Sequence, residues 1–242
     1  MWRWVLFFLA VLLIALAARL PASWAVSQVQ DRLKAKVDID NVKGTIWQGS
    51  ADLKLPQGIV IEQATWEVAP IPLLFLSPRF TLQSASPDLK GRTSVALGFR
   101  SVEINELDAT VTARLVSAIE PRIGALAPEG SLRIMVYQMD CFNDGCEGQT
   151  RLQWENAAVA LSELRPLGDY LGILDLKRTK AHYELKTMKG TLRAAGRGNW
   201  EQGKLPTFTG ELSAPPDQLS KVQGLMRLLG TPDERGVLRI NR

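Results

Sequence analysis

Histidine and cysteine are nearly missing from these 242 residues: there is one histidine, His182, and two cysteines, Cys141 and Cys146. Two cysteines with no histidine beside them fall short of the four ligands of a tetrahedral zinc site. His182 stands among Lys180, Glu184 and Lys186, so it reads as a solvated strand residue rather than a general base. The sequence also lacks a Gly-x-Ser-x-Gly elbow, a His-Glu-x-x-His pair and a glycine-rich phosphate loop with its lysine. No long block of like charge occurs either: 29 basic and 25 acidic residues interleave to a net charge of +4, which argues against a nucleic-acid groove. Asp140, Asp144 and Glu147 cluster around the cysteines. An EF-hand register starting at Asp140 would place Phe142 and Arg151 at ligand positions, so exposed turn acids are the better reading. The chain reads as a non-enzyme with no cofactor and no metal.

What is present begins at the N-terminus. Trp2-Arg3-Trp4 leads into an apolar run from Val5 to Ala18, followed by Arg19, Leu20, Pro21 and Trp24. With Arg3 in front and no acid before Asp31, the positive-inside bias predicts a cytoplasmic N-terminus and an extracytoplasmic remainder. A cleavable signal peptide also suits such a run, and Ser23-Trp24-Ala25 imitates a small-x-small cleavage site. The flanks favour a retained single transmembrane anchor over residues 1–24, with Trp2, Trp4 and Trp24 as membrane-interface anchors. At about 1.5 Å per residue, Trp4 and Trp24 are separated by about 30 Å, the thickness of the hydrocarbon layer. Residues 25–35 read as a linker, and 36–242 as the extracytoplasmic domain.

That domain is predicted to be mainly β, a curved and mostly antiparallel sheet with one or two short helices. Ala181, Tyr183 and Leu185 alternate with charged neighbours, as do Leu107, Ala109, Val111 and Ala113 with polar ones. Such strands have one wet face, and the dry face must be covered by a second sheet, by helices or by something that is not protein. A glycine followed by a branched apolar residue recurs at Gly44, Gly130, Gly190, Gly210 and Gly236, and each reads as a turn feeding a strand. Helices are predicted over residues 115–126 and, more clearly, over 216–229, where Leu219, Val222, Leu225 and Met226 share one face and Gly230 stops the run. They divide the domain into halves, 36–113 and 129–242, which share one sheet or pack as two lobes; the sequence leaves that choice open.

Cys141 and Cys146 bracket Phe142-Asn143-Asp144-Gly145, a strong turn signal between two strand patterns. In an oxidising compartment this spacing predicts a disulfide at a hairpin tip. Trp47 and Trp66 lie in β-rich segments. They read first as core anchors, and otherwise as an apolar surface that meets a partner or lipid.

Four segments together resemble the type II secretion system protein N family. They are Gly44-Thr-Ile-Trp47-Gln-Gly49, the run Trp66-x-Val68-x-Pro70-x-x-Leu73-Leu74, Leu164-Arg-Pro-Leu-Gly168-Asp-Tyr170, and Leu228-Leu229-Gly230-x-x-Asp233-x-x-Gly236. The resemblance covers nearly the whole chain. It implies an accessory subunit of the machine that exports folded proteins from the periplasm across the outer membrane. Such a subunit sits in the cell inner membrane, N-terminus cytoplasmic and C-terminal domain periplasmic, and its partners are the other inner-membrane and periplasmic subunits. The resemblance implies no catalytic residues. The family also looks similar to periplasmic proteins that fold a long sheet into an open groove for lipid, so a lipid-binding or lipid-transfer protein is the alternative.

Overall fold

Period-two alternation gives a strand a dry and a wet side, and thirteen strands follow one another among the described residues. The computed structural model describes residues 2–33, 37–69, 77–233 and 235–241. The strands are β1 (Asp38–Gly44), β2 (Gln48–Lys54), β3 (Val60–Ala69), β4 (Arg79–Ala85), β5 (Leu89–Leu97), β6 (Ser101–Thr112), β7 (Glu129–Phe142), β8 (Gly145–Ala158), β9 (Gly168–Arg178), β10 (Lys180–Gly190), β11 (Arg193–Glu201), β12 (Thr207–Ser213) and β13 (Val237–Asn241). Each pairs antiparallel with the next, so the two predicted halves share one open meander of thirteen strands. At about 4.8 Å between neighbours such a sheet runs roughly 58 Å across its strands.

Register fixes which side is dry. One row crosses eight strands as Ala109, Ile134, Leu152, Gly172, Leu185, Gly196, Gly210 and Ile240. The adjacent row, on the opposite face, reads Asp108, Met135, Arg151, Ile173, Glu184, Arg197, Thr209 and Asn241. Gly210 therefore lies inside β12 rather than opening a strand. A side chain there would run into the Phe208 ring, which occupies the space instead.

Bulges curl the sheet. Asn41, Gln63, Glu106 and Asn156 take positive φ, and each stands where the ladder slips by a residue. An extra residue of this kind bends the strand and increases its twist. Two of the bulges are held by an acid on the neighbouring strand: Gln63 N–H donates to Asp52 Oδ1 (2.8 Å) and Asn156 N–H to Asp169 Oδ1 (2.8 Å).

Helices close one edge of the dry face. After β6 come α3 (Ala113–Ile119) and α4 (Pro121–Gly124), in the predicted place; Thr112 Oγ1 caps α3 by accepting from Leu115 N–H. Leu115 and Ala118 of α3 pack with Ile59, Ile61 and Val111. Past the 3₁₀ turn at Pro216–Gln218, α5 (Leu219–Leu229) buries Val222 and Met226 against Leu167, Tyr170, Leu192 and Ala194. Both clusters lie at the same strand ends, so the middle of the dry face has no helix over it.

The N-terminal segment departs from expectation. Helix α1 (Trp2–Ala18) stops short because Pro21 disfavours helical backbone at the residue before it. The chain then turns into α2 (Ala22–Leu33), which lies against β1. Trp24 thus stands on a different helix from Trp2 and Trp4, and residues 25–33, expected as linker, are helical. Among the described residues no helix is long and apolar enough to cross a membrane.

Candidate functional site

The first motif singled out in the sequence, Gly44 to Gly49, is the connection between β1 and β2. Gly44 takes φ 91°, a conformation that disfavours any side chain. Thr45 then closes the turn: its N–H donates to Gln48 O (2.8 Å), and its Oγ1 accepts from Trp47 N–H and Gln48 N–H (3.3 Å each). The turn aims Trp47 at the end of α1, where the indole N–H donates to Ala17 O (2.8 Å) and Ile46 N–H donates to Leu20 O (3.1 Å). Ala17 O also accepts from Leu20 N–H (3.3 Å), so the hairpin adds to the C-terminal cap of α1 rather than supplying a missing partner.

Trp66 of β3 belongs to the same assembly. Its indole N–H donates to Thr45 O (3.2 Å), and its ring lies over Gly49, where a Cβ would collide with both the ring and the Lys43 carbonyl. Gly44, Trp47, Gly49 and Trp66 are thereby brought together as one junction between helix and sheet. Pro70 and Leu73–Leu74, from the same motif, lie outside the described residues.

Beside this junction the dry face holds an open cavity of about 420 Å³. Its floor is made by Ala51 and Leu53 of β2, Ala64 and Trp66 of β3, Leu82 of β4 and Leu107 and Ala109 of β6, and Val26 of α2 forms part of its wall. Leu82 is 43% exposed there. Arg92 is the one charged residue in the lining, but it pairs with Gln83 and with Asp108 of the opposite-face row, so its side chain projects to the wet face. The hollow can take an apolar ligand.

The other predicted residues lie away from this hollow. Cys141 and Cys146 face each other across β7 and β8 as a disulfide with Cα atoms 3.9 Å apart, and Arg178 stacks over Phe142 at 4.2 Å beside it. His182 is exposed on the wet face with Nδ1 2.9 Å from Asn199 Oδ1. Trp2 and Trp4 are exposed on α1, and Trp24 on α2. In the third motif, Leu167 is buried and Tyr170 donates its hydroxyl to Leu192 O (2.9 Å); burial, with Asp169 nearby, pushes that phenol up to about 12. In the fourth, Asp233 Oδ1 accepts from Val237 N–H and Arg235 N–H (2.9 Å each), which holds its carboxyl below the usual range and shapes the turn into β13. Asp52 is lowered likewise, first by Asn41 Nδ2 and then by Gln63 N–H.

Sequence reasoning missed Asp52, the role of Asp169, which it quoted only as a position within the third motif, and Val26. The first two pin bulges, for which the only signal is an asparagine inside a strand pattern, as at Asn41 and Asn156. Val26 was hidden because its segment read as a linker.

No curated protein and no solved structure matches the chain. A family model described as type II secretion system (T2SS), protein N, matches residues 35–241, which takes in all thirteen strands and the four motifs. With that match across most of its length, the chain belongs to the type II secretion system protein N family.

Proposed function

We propose that the protein is an accessory subunit of the type II secretion apparatus, held in the inner membrane by α1 with its sheet on the periplasmic side. Family membership carries the secretion role. At about 1.5 Å per residue, the 17 residues of α1 run about 26 Å, a few ångströms less than a hydrocarbon layer of about 30 Å. A mismatch of that size is met by local thinning of the bilayer and by Arg3 and Arg19 reaching outward to the headgroups. The Cys141–Cys146 disulfide suits an oxidising compartment. The role is structural rather than catalytic, and the partners are other inner-membrane and periplasmic subunits. The test is fractionation of a deletion strain and its complemented counterpart, following one exported hydrolase and one resident periplasmic marker. Hydrolase retained in the periplasm, with the marker in place, supports the reading. Normal export in the deletion strain refutes it.

A second reading, a lipid-binding or lipid-transfer protein with a β-groove, is favoured by one observation: the dry face has helices along only one edge and an apolar hollow elsewhere. It predicts that acyl lipid stays with the protein after purification. Delipidated protein that takes up no lipid from vesicles would refute it.

A further inference from the structure

From the placement of the hollow we infer that it is the seat of one acyl chain of an inner-membrane phospholipid, entering beside the junction of α1 and α2. The inference rests on the lipid-binding reading and makes it specific. It assigns the site to β2–β6, not to the β8–β13 half, where α5 already packs on the dry face.

Size and chemistry select the occupant. A cavity of about 420 Å³ is within the range of about 300–1,000 Å³ typical of small-ligand sites. A docked helix, about 10–12 Å across with its side chains, needs a wider trough. A peptide strand needs unpaired backbone groups, and the strands of the floor have neighbours on both sides: β2 pairs with β1 and β3, β4 with β3 and β5, and β6 with β5 and β7. A protein surface typically brings about one hydrogen bond per 100–200 Å² of interface, and Leu53, Leu82, Leu107 and Ala109 offer none. A hydrocarbon chain asks for none.

Position names the source. Trp66, in the cavity lining, bonds Thr45 O, one residue before Ile46, which is tied to the end of α1. Val26 belongs to the helix that immediately follows. The cavity thus adjoins the point where the apolar helix ends, so a chain leaving the bilayer travels a short way.

The test uses the full chain in phosphatidylethanolamine/phosphatidylglycerol vesicles that contain a phospholipid with a diazirine in its acyl tail, with adducts mapped by mass spectrometry after illumination. Adducts on the β2–β6 floor, lost when Leu82→Trp fills the hollow, are expected. Leu82→Trp is placed where the native residue is already partly exposed; if it fails to fold, Thr93→Trp on the neighbouring strand gives the same readout. Adducts on β8–β12 that survive either substitution overturn the assignment while leaving a lipid-binding protein. Adducts on α1 alone, with none on the sheet, overturn both.

Discussion

Replacing Gly49 by alanine adds one methyl group where the fold has no room for it. The new Cβ meets the Lys43 carbonyl on one side and the Trp66 ring on the other; the backbone oxygen cannot move without disturbing the β1–β2 turn, so the ring must shift. Overpacking of this kind costs about 1–3 kcal/mol. Displacing the ring also breaks the indole bond to Thr45 O, worth about 1 kcal/mol. The expected loss is therefore about 2–4 kcal/mol in urea unfolding of the full-length protein in detergent, followed by tryptophan fluorescence. Trp66→Ala alone should cost about 3 kcal/mol, the low end for a large aromatic because the ring is only partly buried. In the Trp66→Ala background the Gly49→Ala penalty should fall by at least about 1 kcal/mol, because one of the two obstacles is gone. A Gly49→Ala cost under about 0.5 kcal/mol, or an equal cost in both backgrounds, would refute the claim that Gly49 is the seat of Trp66.

Other substitutions probe the remaining motifs. Cys141→Ser opens a short loop, with a sequence separation of 5, and should cost about 2 kcal/mol with the fold retained; global unfolding would show that the hairpin depends on the bond more than chain entropy allows. Tyr170 is held neutral by the fold, with its pKa raised from 10.0 to about 12; its contribution is complete below pH 10 and disappears as pH rises through about 12. Alkaline thermal melts should show that loss, and Tyr170→Phe should remove it; a pH dependence unchanged in Tyr170→Phe would contradict the assignment. Asp233 has a lowered pKa, so its contribution is present above the ordinary carboxylate range and fades as pH falls through the folded value. Asp233→Asn should weaken that acid dependence and speed hydrogen exchange at the Val237 amide, and an unchanged exchange rate there would count against the turn described.

Much of the scaffold could be read from residue order. The alternations at 107–111 and 181–185 gave strands with one dry face, and Asn143-Asp144 between two cysteines gave the disulfide hairpin. The turn at Pro216 and the stripe at Leu219, Val222 and Met226 gave α5. These are local signals, legible because side-chain period and turn chemistry act over a few residues. The N-terminal reading departs from the structure at Pro21: hydropathy runs past a residue that breaks the helix, and Trp24 stands on a different helix from Trp2 and Trp4. Gly210 failed for the opposite reason, since the demand on it comes from the Phe208 ring and not from a turn.

The sequence by itself determined the class of the fold, the apolar N-terminal helix, the disulfide and, through four ordered motifs, the family. Only the tertiary structure decided that both halves form one sheet, that Trp47 caps α1 while Trp66 rests on Gly49, and that a hollow opens beside them under α2. Those contacts join residues far apart in the chain, Trp47 with Ala17 across 30 positions and Val26 with Leu82 across still more. They follow from register, bulges and helix breaks acting together, and no window of neighbouring residues carries that information.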